Sequence, residues 1–353
     1  MESLESCQQP NQSFSQQPEL KQLFCNFRNK GQDDAATQPL TPENICLGVG
    51  SDESIDGILR AFCTPGKDKI LICPPTYSAY EVCAAVNDVD VVCVNLDAEN
   101  DFALNTAAIN QALSDDPSIK VVFVCSPGNP AANLVPRSDI VQILEHQTWN
   151  GVVVADEAYI DFAPATSMAR EVNQWPNLVV LHTLSKAFGL AGIRLGITFS
   201  QPEISRLLNN AKGPYNMSAP TVALATAALQ PEGIALMEEN RAKLVEQRDR
   251  LRQELSKIPA FGKFLGGFNA NFVLAQFLNK PADAGGIPDN TTALALQYNL
   301  VTKSQVLVRY RGKEAGCVGC LRITVGTEDQ VDKLVSIIRK TLEDLYSGQI
   351  SMA

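Results

Sequence analysis

Between residues 45 and 200 the chain alternates short apolar runs with longer segments whose apolar positions recur at helical spacing. Residues 54–62 show this spacing clearly, with apolar positions at Ile55, Ile58, Leu59 and Phe62. The short runs have the length of buried strands and read KILIC, VDVVCV, IKVVFVC, GVVVA and NLVVLHTL. This alternation predicts an α/β fold in which helices cover both faces of a mostly parallel sheet.

The pattern changes after residue 232. Charged positions dominate residues 233–257, a predicted helix with an apolar side formed by Leu244, Leu251, Leu255 and Ile258. Beyond it come the strand candidates NANFVLAQF, QVLVRY and LRITV, and a closing helix EDQVDKLVSIIRKTLEDLY. We therefore predict a large domain over residues 45–232, an interdomain helix over 233–258 and a smaller α+β domain over 259–353.

The first residues differ from the rest of the chain. Residues 1–18 are rich in Gln and Ser and lack apolar periodicity, so we predict a disordered tail. With two glutamates and no arginine, this tail does not have the composition of an organelle transit peptide. Residues 19–44 then contain a predicted helix that starts at Glu19, followed by a linker over 31–43.

Composition narrows the class of protein. Hydrophobic residues make up 45% of the 353 positions and charged residues 19%, and no apolar stretch reaches the roughly 18 to 20 residues of a membrane span. The formal charge of −10 argues against a surface that neutralises phosphate backbones. We expect a cytoplasmic protein that has neither nucleic acid nor membrane as a partner.

Ten cysteines are scattered through the sequence, several of them in apolar runs, where a free thiol behaves as a small hydrophobic group. We predict that they are reduced. The CVGC stretch at 317–320 could supply two zinc ligands, but His146 and His182 are the only histidines and no second C-x-x-C exists. A structural zinc site needs four ligands, so we predict no metal.

Polar side chains follow directly after the predicted strands, where ligands bind in open α/β sheets. They are Tyr77 after KILIC, Asn129 after IKVVFVC, Asp156 and Tyr159 after GVVVA, and Ser185 and Lys186 after NLVVLHTL. In LGVGSDESIDG, Gly50, Ser51 and Asp52 precede the helix predicted from residue 54. The N–H groups at a helix start form an anion site.

These side chains predict a ligand with three features. It would carry an anion for the helix start, a carbonyl carbon that reacts with the amine of Lys186, and a basic nitrogen that pairs with the carboxylate of Asp156. Pyridoxal phosphate has all three features, since its aldehyde bonds a lysine, its ring nitrogen pairs with an aspartate and its phosphate takes N–H donors and an arginine. The GVGSDE stretch is not a dinucleotide motif, because Glu53 stands where the third glycine would be.

Six motifs, in order, make the chain from about Glu19 to Tyr346 resemble the histidinol-phosphate aminotransferases, a branch of the fold-type-I pyridoxal-phosphate enzymes. They are GVGSDE, CPPTY, SPGNP, DEAYIDF, TLSKAFGLAGIRLG and GCLRITVGT. The aspartate and the lysine of the fourth and fifth motifs lie 30 positions apart. The resemblance implies a homodimer with a large cofactor-binding domain and a small C-terminal domain.

The resemblance also implies roles for single residues. Lys186 would form the Schiff base with the cofactor and move protons, and Asp156 would pair with the ring nitrogen. Asn129 and Tyr159 would bond the ring hydroxyl oxygen, and Tyr77 would stack on the ring. The phosphate would lie among Ser51, Asp52, Ser185 and Arg194. Arg322, in LRITVG, would bind the substrate carboxylate.

The sequence departs from the family at three places. Ala131 and Ala132 stand where the family usually has Thr-Gly, which predicts a modest local change near Asn129, because glycine adopts backbone conformations closed to alanine. Ala155 replaces a valine before Asp156. Relatives also carry a Tyr-Pro-Asp-Pro motif that reaches the neighbouring subunit's phosphate, whereas no tyrosine precedes Tyr77 here.

The first functional hypothesis is therefore transamination of histidinol phosphate with 2-oxoglutarate or glutamate, in histidine biosynthesis. A second is a diverged aminotransferase, or a decarboxylase of phosphorylated amino acids with the same fold. A third is a non-catalytic paralogue or a truncated gene product, because the arm that carries the tyrosine motif is replaced.

Overall fold

A computed structural model of the chain describes residues 17–30 and 38–349. Residues 1–16 of the predicted tail and residues 31–37 of the predicted linker lie outside the described residues. Helix α1 (Pro18–Asn29) starts with a proline at its first position, where a helix does not need the missing N–H. Leu20 and Phe24 are buried on its apolar face.

The large sheet has seven strands: β1 (Ile45–Val49), β2 (Lys69–Ile72), β3 (Asp90–Cys93), β4 (Ile119–Cys125), β5 (Val152–Asp156), β6 (Leu178–Thr183) and β7 (Leu195–Phe199). They are ordered β1-β7-β6-β5-β4-β2-β3, and of these seven only β7 runs opposite to the other six. Five of the strands match the five predicted runs. The predicted α/β fold with a mostly parallel sheet is confirmed.

Six helices follow or connect these strands: α2 (Gly50–Phe62), α3 (Ala79–Val86), α4 (Thr106–Asp115), α5 (Arg137–Leu144), α6 (Pro202–Ala211) and α7 (Ala219–Ala228). Successive side chains of β4 join different apolar clusters, since Val122 packs on one face of the sheet and Phe123 on the other. Burial on both faces explains why the strands read as continuous apolar runs.

The long helix α8 (Pro231–Leu255) packs against the smaller sheet and against segments that follow strands of the large sheet. Its Leu251 and Leu255 are buried in the core of the smaller sheet, while Met237 packs in a cluster with Tyr159 and Phe272. The strands of the smaller sheet are β8 (Phe261–Leu265), β9 (Phe272–Phe277), β10 (Arg309–Tyr310) and β11 (Cys320–Thr324). This sheet is antiparallel in the order β10-β11-β9-β8, and its helices are α9 (Asn290–Ser304) and α10 (Glu328–Tyr346).

Two predicted boundaries are wrong. Helix α2 begins at Gly50 rather than at residue 54, because Gly50 takes a left-handed φ of 74° and turns the chain from β1 directly into the helix. The predicted QVLVRY strand shortens to Arg309–Tyr310, because Gln305 ends α9 in the left-handed conformation and the Val306 N–H donates to the Leu300 carbonyl.

Within residues 17–30 and 38–349, none of the helices combines the length and the apolar character that crossing a membrane requires.

Candidate active site

The parallel strands β4, β5 and β6 end at the same edge of the large sheet, and the segments after them border one cleft. The cleft is lined by Ser51, Tyr77, Cys125, Asn129, Asp156, Ala158, Tyr159 and Lys186. Six of these are residues predicted for the site.

Lys186 lies three residues beyond the end of β6, where the Gly189 N–H donates to its carbonyl. Its Nζ is 5.2 Å from the centre of the Tyr159 ring. Among the described residues, no side chain bonds the amine, and burial followed by the charge of Arg322 lowers the pKa of Lys186. A lowered pKa increases the fraction of neutral amine, the form that attacks a carbonyl and accepts a proton.

Asp156 is the last residue of β5 and is only 3% exposed. Its Oδ1 accepts the Ala158 N–H at 3.1 Å, and its Oδ2 accepts the Tyr80 hydroxyl at 2.6 Å. Burial raises the pKa of the Asp156 carboxyl, and these two donors oppose that change because they stabilise the ionised form. Asp156 and Lys186 therefore place a carboxylate and an amine on the same cleft.

Tyr80 is not among the residues that the sequence predicts for the site. This residue follows Tyr77 by three positions in CPPTYSAY, so that both side chains lie near the start of α3. The two rings meet edge to face, with centroids 5.7 Å apart. The three-residue spacing, nearly one helical turn, indicates that Tyr80 lies near Tyr77. It does not indicate the contact with Asp156, because that carboxylate lies 76 positions further along the chain.

A hydrogen bond joins the side chain of Asn129, which follows β4 of the large sheet, to that of Arg322 on the smaller sheet. Arg322, on β11, donates from Nη1 to Asn129 Oδ1 at 2.5 Å, and its guanidinium lies 5.1 Å from the centre of the Phe272 ring. Since the amide oxygen of Asn129 faces the arginine, its NH₂ group is the part that can donate to a ligand. Tyr159 packs edge to face on the same phenylalanine, at 5.1 Å.

The start of α2 forms a cradle of backbone N–H groups. The Gly50 N–H donates to the Arg194 carbonyl at 3.0 Å, whereas Ser51 and Asp52 lie in the first helical turn, where no carbonyl of the helix is available. Ser185 Oγ accepts the Thr183 hydroxyl at 2.9 Å. Arg194 lies beside this helix start, since a Cβ atom at Gly50 would be 2.4 Å from its Nη2, and the sequence predicts an anion site from these groups.

The Asp52 side chain has other partners. Its Oδ1 accepts the Tyr77 hydroxyl at 3.0 Å, and its Oδ2 is 3.3 Å from Arg194 Nη2. Both members of the ion pair are 48% exposed, so solvent screens the attraction. An anion at this end of the cleft would therefore meet the backbone N–H of Asp52 and the Arg194 guanidinium, and the carboxylate of Asp52 would hold Arg194 and Tyr77 in place.

Ala132 adopts the left-handed conformation, with φ of 51°, although alanine is strained there. The surrounding backbone holds it, since the Ala132 N–H donates to the Gly128 carbonyl and the Asn269 N–H donates to the Ala132 carbonyl. The alanine that replaces the family's glycine is thus accommodated in a conformation that glycine adopts freely.

A buried polar network lies behind the cleft. Asp161 accepts from Arg28 of α1 and contacts His182 Nε2, both at 2.8 Å, and its carbonyl accepts from Arg241 at 3.0 Å. His182 is four residues before Lys186, and Asp161 is two residues after Tyr159. Burial, followed by the charge of Arg28, lowers the pKa of His182 and so favours the neutral imidazole. This network fixes α1 to two segments that border the cleft.

Comparison with known proteins identifies relatives along nearly the whole chain. A histidinol-phosphate aminotransferase from Schizosaccharomyces pombe is 51% identical over 332 residues, which cover 94% of this chain and 85% of the relative. One from Saccharomyces cerevisiae is 46% identical over 335 residues, covering 93% and 84%.

Solved structures share the fold at low sequence identity. Histidinol-phosphate aminotransferase from Sinorhizobium meliloti in complex with pyridoxal-5'-phosphate has a TM-score of 0.81 at 22% identity, covering 94% of this chain and 82% of that one. The enzyme from Clostridium acetobutylicum has a TM-score of 0.76 at 22% identity, covering 94% and 90%.

The family described as "Aminotransferase class I and II" matches residues 4–338. Its members depend on pyridoxal phosphate, which agrees with a lysine and a buried aspartate on one cleft. The chain belongs to the class I and II aminotransferases.

Proposed function

We propose that this aminotransferase transfers the amino group between histidinol phosphate and 2-oxoglutarate, with glutamate as the second amino compound, in histidine biosynthesis. The observation that carries the proposal is the identity of 46–51% to yeast histidinol-phosphate aminotransferases over more than nine tenths of the chain. Lys186 and Asp156 on one cleft support the chemistry.

The residues on the cleft fit pyridoxal phosphate. Lys186 would hold its aldehyde, Asp156 its ring nitrogen, and Asn129 and Tyr159 its ring hydroxyl oxygen. Tyr77 would stack on the ring. The phosphate would contact the backbone N–H groups of Ser51 and Asp52, the hydroxyl of Ser185 and the guanidinium of Arg194.

When bound, the cofactor supplies an electron sink for the negative charge that develops on the substrate carbon. Lys186 would then have two tasks: its neutral amine would remove the proton from that substrate carbon and deliver it to the carbon of the cofactor's aldehyde group. Asp156 remains ionised and keeps a proton on the ring nitrogen. Arg322 anchors the carboxylate of glutamate, and the same guanidinium suits the anion of the other substrate.

Two half-reactions that share one cleft should follow ping-pong kinetics. The direct test uses purified protein loaded with pyridoxal phosphate and follows the cofactor absorbance after glutamate or histidinol phosphate is added alone. We expect each compound to change the spectrum. If neither does so, the proposal is wrong.

Lys186→Ala is the matched control. A positioned base typically increases the reaction rate about a hundredfold to ten-thousandfold, so the variant should slow both half-reactions by at least about a hundredfold. A panel of other amino donors distinguishes a diverged aminotransferase, and release of carbon dioxide identifies a decarboxylase. A protein that does not retain the cofactor after dialysis would favour a non-catalytic paralogue.

We also propose that the protein is a homodimer. Val49, at the end of β1, is 39% exposed, and Tyr215, between α6 and α7, is 63% exposed. The two segments are joined where Asn216 donates to Glu53 at 2.9 Å, so these apolar groups flank the phosphate end of the cleft. Light scattering should give the mass of two chains, and Tyr215→Asp should shift it toward one.

A cytoplasmic location is a further part of the proposal. Nine cysteines are free in the part of the chain that the structure describes, as expected in a reducing compartment. A fluorescent fusion of the whole protein tests it, and accumulation in an organelle would contradict it.

A further inference from the structure

Tyr80 is a buried phenol that the chemistry described above leaves unused. It has no exposed surface, and its ring stacks on Phe123 with centroids 4.5 Å apart and planes at 17°. Tyr77 also packs against this ring, edge to face. The two aromatic contacts hold the ring, and its hydroxyl donates to Asp156 Oδ2 at 2.6 Å.

This hydrogen bond has a chemical consequence for a buried carboxylate. Asp156 is almost completely removed from water, which favours its neutral form, whereas pairing with a positive ring nitrogen requires its ionised form. A hydroxyl that donates at 2.6 Å to a carboxylate stabilises the ionised form and also fixes the plane of the group. The Ala158 N–H, at 3.1 Å, holds the other oxygen.

We propose that Tyr80 is a positioning residue for the transamination, which holds Asp156 ionised and correctly oriented toward the ring nitrogen of pyridoxal phosphate. The inference rests on the proposed function, because it assigns Tyr80 a task through Asp156. Tyr80 itself lies outside the lining of the cleft, so it acts through the carboxylate rather than on the substrate.

The titratable groups that face Asp156 come from several elements, and each could influence a pH measurement. They are Asp52, Tyr77, Tyr80, Cys125, Tyr159 and Lys186. Of these, Tyr80 donates a hydrogen bond to the carboxylate. A substitution that removes its hydroxyl alone therefore isolates its contribution.

Tyr80→Phe keeps the ring and its packing and removes the hydroxyl. Tyr346→Phe is the matched control, because the Tyr346 hydroxyl donates to the Leu278 carbonyl at the same distance of 2.6 Å, and neither residue lines the cleft. Both variants lose one hydrogen bond of a partly or fully buried tyrosine. A merely structural role would therefore affect the thermal unfolding of both proteins and the cofactor spectrum of neither.

The first readout needs no substrate. In the loaded enzyme the cofactor absorbance changes with pH, because the Schiff base between Lys186 and the cofactor loses its proton. This proton leaves more readily while the ring nitrogen is positively charged. Without Tyr80, Asp156 becomes more basic and takes a larger share of the ring proton. We expect Tyr80→Phe to raise the pH midpoint by at least half a unit and Tyr346→Phe to leave it unchanged.

The second readout is the single half-reaction with glutamate. Loss of a hydrogen bond to a charged group corresponds to about a tenfold to hundredfold decrease in rate. In an Asp156→Asn background, Tyr80→Phe should add little further effect, because both substitutions act through the same carboxylate.

An unchanged midpoint and rate in Tyr80→Phe, or full additivity with Asp156→Asn, would overturn the inference. Failure of the proposed function has a different signature: histidinol phosphate would not react with the wild-type enzyme, yet the difference in midpoint between wild type and Tyr80→Phe would still be observed.

Discussion

Gly196, on β7, offers a sharp test of the phosphate cradle. A Cβ atom at this position would lie 2.3 Å from the carbonyl carbon of Gly50, 2.4 Å from its oxygen and 2.5 Å from the Ser51 nitrogen. Carbon atoms in contact are normally about 3.5–4.0 Å apart. Gly196→Ala must therefore displace the start of α2 by roughly 1 Å, since backbone atoms cannot rotate away.

The displacement moves the N–H groups that would bind the phosphate. A hydrogen bond to a charged group contributes about 1.5–3 kcal/mol, so the loss of one corresponds to a tenfold to hundredfold weaker cofactor affinity. We expect Gly196→Ala to raise the dissociation constant for pyridoxal phosphate by at least tenfold. Overpacking should also lower the free energy of unfolding by about 1–3 kcal/mol.

The measurement is an absorbance titration of the cofactor-free protein with pyridoxal phosphate, after circular dichroism has shown that the variant is folded. Gly192→Ala is the control, because it lies in the same segment and a Cβ there meets nothing within 4 Å. The reasoning is refuted if Gly196→Ala binds the cofactor as tightly as the wild type, or if Gly192→Ala weakens binding equally.

Two further predictions concern buried charge. Asp161→Asn leaves the Arg28 guanidinium buried without its carboxylate, at 10% exposure, and should cost about 3–5 kcal/mol of stability in denaturant unfolding. Lys243→Gln, which breaks an exposed ion pair, should leave stability unchanged, and equal effects would contradict the reasoning. Arg322→Lys removes the planar guanidinium, which can bind a carboxylate through two parallel hydrogen bonds. The variant should raise the KM for glutamate about tenfold or more in steady-state assays. An unchanged KM would argue against a carboxylate site at Arg322.

Much of the site was accessible from the sequence because of one geometric rule. Parallel strands that read as apolar runs place the residues after them at one edge, so Asn129, Asp156 and Lys186 could be grouped before any contact was known. The helix α10 was equally clear, since its apolar spacing and its cap at Thr327 agree. The predicted residues of the cleft come together because local pattern and sheet topology are consistent.

Contacts between distant segments required the tertiary structure. Tyr80 and Asp156 are 76 positions apart, and Arg28 and Asp161 are 133 positions apart. No periodicity encodes such pairs, because periodicity describes only neighbours on one element. The left-handed conformation of Ala132 also depends on the surrounding backbone, which holds a residue that alone would avoid it.

The sequence by itself determined the α/β class, the alternation of strands and helices, and the chemistry of a lysine and an aspartate at strand ends. Tertiary structure alone decided that β7 runs antiparallel, that Asp52 pairs with Arg194 and Tyr77, and that Tyr80 holds the buried carboxylate. The physical reason is that secondary structure follows from local spacing and burial. The protonation and orientation of a buried group follow from the donors that folding brings to it.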